Sequence, residues 1–178
     1  MTSLPNLVTL SRLVLAVVMF VFIDQKQWSA ALFILAVAAF TDWLDGWLAR
    51  RMKLTSALGR ILDPLVDKVW ICGAYVFLLP IEGSGLAPWM TTLVIARELI
   101  ITGLRSFLEG QGASFGADML GKAKTTAQIA ALVAIFAYLE WLDPYLAVTR
   151  NGLIVLMLAL TAASGLQYLW KAFLLLRR

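Results

Sequence analysis

Apolar runs of roughly the length needed to cross a bilayer follow one another along the chain, with short polar stretches between them. Six runs can be distinguished, at residues 7–23, 28–48, 59–79, 89–108, 122–138 and 152–175, where the third begins at Gly59 or Ile61. A transmembrane helix needs about 20 predominantly apolar residues. The pattern therefore predicts an all-α integral membrane protein with six transmembrane helices, formed by a single domain over residues 1–178.

The composition supports this reading and excludes several functions. Hydrophobic residues make up 61% of the chain and its mean hydropathy is +0.84, whereas about half of a soluble domain is apolar. There is no histidine, which excludes imidazole metal sites and histidine-based acid–base catalysis, and the single cysteine excludes an intramolecular disulfide. No basic stripe interleaves with aromatic residues outside the apolar runs, so a nucleic acid is not expected as a partner.

The basic residues indicate which way the helices face. Predicted loops and helix ends on one side carry nearly all of them, and only Lys26 and Arg150 fall on the other side. Because loops rich in Lys and Arg stay in the cytoplasm, both termini and the polar segment 40–70 are predicted to be cytoplasmic.

Segment 40–70 holds four carboxylates, which are costly beside the bilayer. They are Asp42, Asp45, Asp63 and Asp67. An ionised aspartate at the bilayer centre costs about 3 kcal/mol on insertion scales, and four together repel one another. Spacings of three and four residues place each pair on one face of a helix. Two helices that present paired carboxylates can bind hard cations through oxygen ligands.

Small residues and a guanidinium stand beside these acids and indicate what the cations bind. Gly46, Ala49 and Gly59 leave room for a bulky polar ligand, and Arg50 can contact an anion. The combination favours a metal-bridged phosphate or diphosphate. The alternative, that the acids are solvated loop residues, does not explain why they keep helical spacing together with two glycines.

The pattern D-x2-D-G-x2-A-R-x8-G-x3-D-x3-D, from Asp42 to Asp67, resembles the signature of the CDP-alcohol phosphatidyltransferases. Every fixed position is present. The resemblance implies six helices of that family's fold, usually as a homodimer, and two divalent ions, Mg²⁺ or Mn²⁺. It implies that the metal ligands are Asp42, Asp45, Asp63 and Asp67, of which Asp67 is also the general base. It further implies a CDP pocket lined by Gly46, Ala49, Arg50 and Gly59.

Four cations further along the chain suit an acceptor that carries its own phosphate: Arg97, Arg105, Lys122 and Lys124. The stretches 95–105 and 121–128 resemble the bacterial branch of the family that makes phosphatidylglycerophosphate. That resemblance implies transfer of the phosphatidyl group of CDP-diacylglycerol to glycerol 3-phosphate, releasing CMP. Arg105, Lys122 and Lys124 fit equally well as basic flanks of membrane helices, whereas Arg97 lies in the middle of its run and favours a contact with the acceptor phosphate or a motif acid.

Two alternatives remain at the level of the sequence. A same-family enzyme with another acceptor, such as inositol phosphate, serine or phosphatidylglycerol, shares the motif, because the motif handles only the CDP-lipid. A divalent-cation transporter would also need carboxylates within the membrane. It is disfavoured because the acids cluster near one face and no interrupted pair of helices recurs in the two halves.

Overall fold

The computed structural model describes the backbone of residues 4–52, 57–110 and 119–176, and the side chains of residues 11–41, 66, 68–108, 110 and 119–175. Within these ranges the chain is entirely helical outside its short connections. The six helices are α1 (Leu4–Asp24), α2 (Trp28–Met52), α3 (Ala57–Leu78), α4 (Pro88–Gly110), α5 (Met119–Trp141) and α6 (Pro144–Leu176). The predicted number and order of helices are therefore confirmed for the described part.

The start of α6 differs from the prediction, which kept residues 144–151 outside the last helix. The helix begins at Pro144, directly after Asp143, whose Oδ1 accepts hydrogen bonds from the backbone N–H groups of Tyr145 (2.7 Å) and Leu146 (3.3 Å). Aspartate before the helix and proline in its first position are favoured because early amides have no partner within the helix. Arg150 and Asn151, predicted to lie in a loop, are thus helical.

All six helices contribute side chains to one core. α1 packs against α2 and α3, α5 packs against α2, α3 and α6, and α4 packs against α3 and α6. The core contains large side chains that are completely buried, among them Met19, Leu35, Tyr75 and Phe136. α4 and α6 contribute Val94 and Met157 to the same cluster. Helices distant in sequence are therefore joined around one core.

The contact between α1 and α3 depends on a glycine. Gly73 lies beneath the ring of Phe20, which stacks on Phe77 with ring centroids 4.8 Å apart and planes 7° from parallel. A Cβ at residue 73 would lie 2.8 Å from the Cε1 atom of Phe20, and closer still to its Cζ. The absence of a side chain at this position permits the close approach of the two helices.

The outer surface is apolar on every helix. Large exposed side chains include Val17 on α1, Phe33 on α2, Val76 on α3, Leu99 on α4, Val133 on α5 and Leu166 on α6. Among the described residues, one helical segment, Pro144–Leu175, is both long and apolar enough to cross a membrane, and Trp28–Thr41 and Lys68–Leu78 are shorter apolar helices. Six crossings therefore remain a prediction.

The α3–α4 connection is held by an arginine of α6. The guanidinium of Arg150 donates to the carbonyl oxygen of Gly83 and to Oδ1 of Asn151, and lies 4.1 Å from the centroid of the Tyr138 ring. Gly83 and Gly85 have φ values of +84° and +76°, which side chains rarely adopt. This arginine clamp lies at the end of α3 opposite to the carboxylate motif.

Candidate functional site

The backbone places the four motif aspartates at the adjoining ends of two consecutive helices. Asp42 and Asp45 lie in the last turns of α2, and Asp63 and Asp67 in the first turns of α3. Only residues 53–56 separate these helices, so the two helix ends lie within about 19 Å of each other. The helical spacing predicted for each pair is confirmed, whereas the four side chains lie outside the described residues.

The predicted CDP-binding residues follow the same division. Gly46, Ala49 and Arg50 lie on α2 and Gly59 lies on α3, and their side chains or surroundings are outside the described residues. Pro64 lies on α3 between Asp63 and Asp67. Because proline has no backbone N–H, the carbonyl oxygen of Arg60 lacks the hydrogen-bond donor that residue 64 would otherwise supply.

The donor set of the motif fits a hard cation. It consists of carboxylates alone, in a chain without histidine, and oxygen ligands are those that Mg²⁺ and Mn²⁺ prefer. Among the side chains that the structure describes, no group of three or more His, Cys, Asp or Glu residues comes together. The motif thus remains the candidate metal site, with its ligand set a prediction.

Two of the four predicted acceptor residues meet at one carboxylate. Oε1 of Glu98 accepts hydrogen bonds from the Lys124 ammonium, from Nη1 of Arg97 (3.2 Å) and from Nε2 of Gln128 (3.4 Å). The exposed fractions of the charged side chains are only 8% for Glu98, 6% for Lys124 and 10% for Arg97. Although adjacent helical residues point apart, the Arg97 and Glu98 side chains turn towards each other. We refer to Arg97, Glu98, Lys124 and Gln128 as the Glu98 cluster.

Helix α6 completes the surroundings of Arg97. The Nη2 atom of Arg97 donates a hydrogen bond to Oγ of Ser164 (3.0 Å), and Ser164 in turn donates to the carbonyl oxygen of Thr161 (3.1 Å). The guanidinium carbon lies 5.8 Å from the centroid of the Tyr168 ring. Among the residues that the structure describes, the buried Arg97 Nε atom has no hydrogen-bond partner. The side chain is therefore held at three points while one donor remains unused.

The other two predicted acceptor residues lie outside this cluster. Arg105 is exposed on α4, eight residues beyond Arg97, and Lys122 is exposed on α5. Eight residues correspond to about 12 Å along a helix. Their predicted roles at an acceptor phosphate are not tested by this arrangement, but only Arg97 and Lys124 are buried together.

The Glu98 cluster carries more positive than negative charge. Two cations share one carboxylate, which leaves a formal charge of +1. Lys68 of α3 is close enough to Lys124 to repel it electrostatically. Buried charge is costly unless it is paired. An anion beside this cluster would therefore be bound favourably.

The cluster lies close to the level of Asp67. The Tyr75 hydroxyl of α3 donates to the Gln128 carbonyl of α5 (2.9 Å), and one turn earlier Cys72 is within electrostatic range of Lys124. The hydrogen bond and the proximity of Cys72 to Lys124 indicate that α3 and α5 run in the same direction. With a rise of 1.5 Å per residue, Asp67 lies about 12 Å before Tyr75 along α3, and Lys124 about 6 Å before Gln128 along α5. Along the helix axes, the backbone positions of Asp67 and Lys124 therefore differ by roughly one helical turn.

Sequence reasoning missed Glu98, Gln128, Ser164 and Tyr168 as members of a site. Glu98 carried a usable signal, because an ionisable residue within an apolar helix usually has a functional role or a charged partner. The other three had none: an amide, a hydroxyl and an aromatic ring are common in helices, and only the packing of α4, α5 and α6 brings them together.

The comparison with family models gives one match, described as CDP-alcohol phosphatidyltransferase, over residues 2–175. Among curated proteins, the chain is 40% identical over 181 aligned positions to the CDP-diacylglycerol–glycerol-3-phosphate 3-phosphatidyltransferase of Escherichia coli (strain K12), covering 96% of this chain and 94% of that protein. The protein of the same name from Bacillus subtilis (strain 168) is 36% identical over 154 residues, 78% of each chain.

Proposed function

Because the chain belongs to the CDP-alcohol phosphatidyltransferase family, we propose that it transfers the phosphatidyl group of CDP-diacylglycerol to glycerol 3-phosphate. The products are phosphatidylglycerophosphate and CMP, which makes this a step of phospholipid biosynthesis. The observation that carries the proposal is the similarity, along nearly the whole chain, to relatives named for this reaction.

The motif aspartates account for the chemistry. Asp67 accepts the proton of the attacking glycerol 3-phosphate hydroxyl, and the oxygen attacks the lipid-side phosphorus as CMP leaves. Two divalent ions, Mg²⁺ or Mn²⁺, held by Asp42, Asp45, Asp63 and Asp67, supply neutralisation of the diphosphate charge. Gly46, Ala49, Arg50 and Gly59 leave space for CDP and contact it. The helical backbone at all eight positions supports these assignments.

The Glu98 cluster supports an acceptor that carries a phosphate. Arg97 and Lys124 are buried with an excess positive charge and lie about one turn from the level of Asp67. A dianionic phosphate would offset this charge and find a donor in Arg97. Serine, one of the alternative acceptors, carries no phosphate. Arg105 and Lys122, which are exposed, remain predicted contacts of the same phosphate.

The apolar surface supports a position within a bilayer. Exposed apolar side chains on all six helices would be unusual on a soluble protein. The proposed arrangement has six crossings of the bacterial inner membrane, with both termini and the motif on the cytoplasmic side, where CDP and glycerol 3-phosphate are found. The protein acts as a homodimer, as is usual in the family.

The reaction can be tested with detergent-purified protein, CDP-diacylglycerol, glycerol 3-phosphate and Mg²⁺, by following CMP release. Release should require both the acceptor and the metal, and Asp67→Asn should lower it by at least 100-fold, because general base catalysis contributes about 10²–10⁴-fold. The Asp143→Asn variant, which changes the same residue type at the other end of the molecule, serves as the matched control.

Other results would change the proposal in defined ways. CMP release with inositol phosphate, serine or phosphatidylglycerol but not with glycerol 3-phosphate would retain the family and replace the acceptor. A folded protein that releases no CMP with any acceptor, but carries divalent metal into liposomes, would support the transporter instead.

A further inference from the structure

Among the side chains that the structure describes, Glu98 is the one carboxylate that contacts both Arg97 and Lys124, and neither the motif nor the reaction explains its presence. Its Oε1 accepts from Lys124, Arg97 and Gln128, so that donors from α4 and α5 converge on a single atom. A carboxylate that served only to neutralise charge could do so from many positions. The convergence of three donors fixes the directions of both cations.

The packing around Arg97 limits its freedom further. Ser164 and Tyr168 of α6 hold the guanidinium from the other side, and Gly165 lies against its aliphatic part, since a Cβ there would be 3.3 Å from the Arg97 Cγ. The Nε donor of Arg97 is buried and unused. The Arg97 side chain is thus held in one geometry, and its Nε–H group remains available as a donor.

We propose that Glu98 is a positioning residue for the acceptor: it holds Arg97 and Lys124 in the geometry that binds the phosphate of glycerol 3-phosphate. This inference rests on the proposed function, because it takes those two cations as the acceptor-phosphate ligands. Glu98 itself does not contact the substrate in this scheme. Its negative charge repels a phosphate, so its benefit comes entirely from orienting the two cations.

The two effects of Glu98 have opposite signs, which makes the inference testable. Replacing Glu98 with glutamine raises the formal charge of the cluster from +1 to +2, which alone would strengthen phosphate binding. The same replacement exchanges a charged acceptor for a weak one and releases both cations. If positioning dominates, the KM for glycerol 3-phosphate rises; if charge dominates, it falls.

The experiment compares wild-type protein, Glu98→Gln and Glu82→Gln in the CMP-release assay. Glu82 is exposed in the α3–α4 connection, so it provides the same substitution far from the cluster. For Glu98→Gln we expect the KM for glycerol 3-phosphate to rise about tenfold or more, because the charge-assisted hydrogen bonds that orient both cations are lost. The KM for CDP-diacylglycerol and the kcat should change by much smaller factors.

A purely structural role of the ion pair is separated by a double variant, Glu98→Lys with Lys124→Glu. It retains the net charge and an ion pair between α4 and α5 but exchanges the helices that carry the cation and the carboxylate. We expect thermal stability to be recovered while the KM for glycerol 3-phosphate stays high. Recovery of both would show that the pair is only structural and would overturn the inference.

Incomplete folding of a variant does not obscure the result, because KM is independent of the fraction of active enzyme whereas apparent kcat is not. If the double variant yields no folded protein, Glu98→Gln alone decides. An unchanged or lower KM for glycerol 3-phosphate, or an equal rise for both substrates, contradicts the inference. If the wild-type protein does not use glycerol 3-phosphate at all, the proposed function fails and this inference with it.

Discussion

Among single residues, Arg97 matters most for the geometry of the candidate acceptor site, and its aliphatic part packs against Gly165. Its guanidinium reaches Ser164 and Glu98. Each partner comes from a different position in the chain, and none of the contacts can be shifted without moving the guanidinium. The site is therefore sensitive to small changes in α6.

Gly165→Ala should affect the acceptor without disturbing the fold. The new Cβ lies 3.3 Å from the Arg97 Cγ, so the arginine must move by a few tenths of an ångström, and we expect the KM for glycerol 3-phosphate to rise several-fold. Gly152→Ala is the matched control on the same helix, because no atom lies within 4 Å of its Cβ. Both variants gain helix propensity of up to about 1 kcal/mol. Equal KM values for the two would contradict this account.

The residues that could be predicted were those with charge and a fixed spacing. The aspartates of the motif and the buried cations Arg97 and Lys124 could be singled out, because charge within an apolar run requires an explanation. Their mutual arrangement could not. Arg97 and Glu98 are sequence neighbours, which point apart on a helix, but their long side chains allow both to reach the same interhelical space.

At the scale of elements, the helices follow the apolar runs, while their ends follow local chemistry. α6 begins at Asp143–Pro144, a helix-start signal that the polar pair Arg150–Asn151 concealed, since those residues looked like a loop. A run of apolar residues marks the interior of a helix, and the first polar residues are taken as its end. A polar residue that lies within the helix and is buried by a tertiary contact is therefore misread as a helix end. Arg150 is such a residue, because its partners belong to the α3–α4 connection and to α5.

Gly73→Ala tests how closely α1 and α3 must approach. Its Cβ would overlap the Phe20 ring, which is fixed by stacking on Phe77. Overpacking costs about 1–3 kcal/mol, more than the gain in helix propensity, so the thermal unfolding midpoint in detergent should fall. Gly103→Ala on α4, with no atom within 4 Å of the Cβ, should leave it equal or higher. A Gly73→Ala protein as stable as this control would show that the helices separate freely.

In the whole molecule, the residues proposed to bind the substrates and the arginine that stabilises the α3–α4 connection lie towards opposite ends of α3. The carboxylate motif lies where α2 and α3 adjoin, and the arginine clamp where α3 ends and α6 begins. Asp67, the last motif residue on α3, lies 11 residues before the final residue Leu78, which is about 17 Å along the helix. Changes at the clamp should therefore alter stability without altering substrate binding.

Arg150→Lys and Arg150→Ala test this separation. Lysine cannot serve the Gly83 carbonyl, Asn151 and the Tyr138 ring together, because it lacks the planar fork of arginine. We expect the unfolding midpoint to decrease from wild type to lysine to alanine, with the alanine variant losing about 2–4 kcal/mol. The KM values for both substrates should stay within twofold of wild type. A large KM change in a stable variant would mean that the two ends are coupled.

Helix α6 exposes an aromatic ring near each end, Tyr145 and Trp170. Their 25-residue separation spans about 38 Å, close to the 40–45 Å of a bilayer with its headgroups. Such rings anchor at the lipid–water boundary, so a thinner membrane would tilt the helix through hydrophobic mismatch. Because α6 also carries the Ser164 and Gly165 contacts to Arg97, tilting would move that arginine. On the proposed role of Arg97, we therefore expect the KM for glycerol 3-phosphate to depend on the thickness of the bilayer in which the protein is reconstituted.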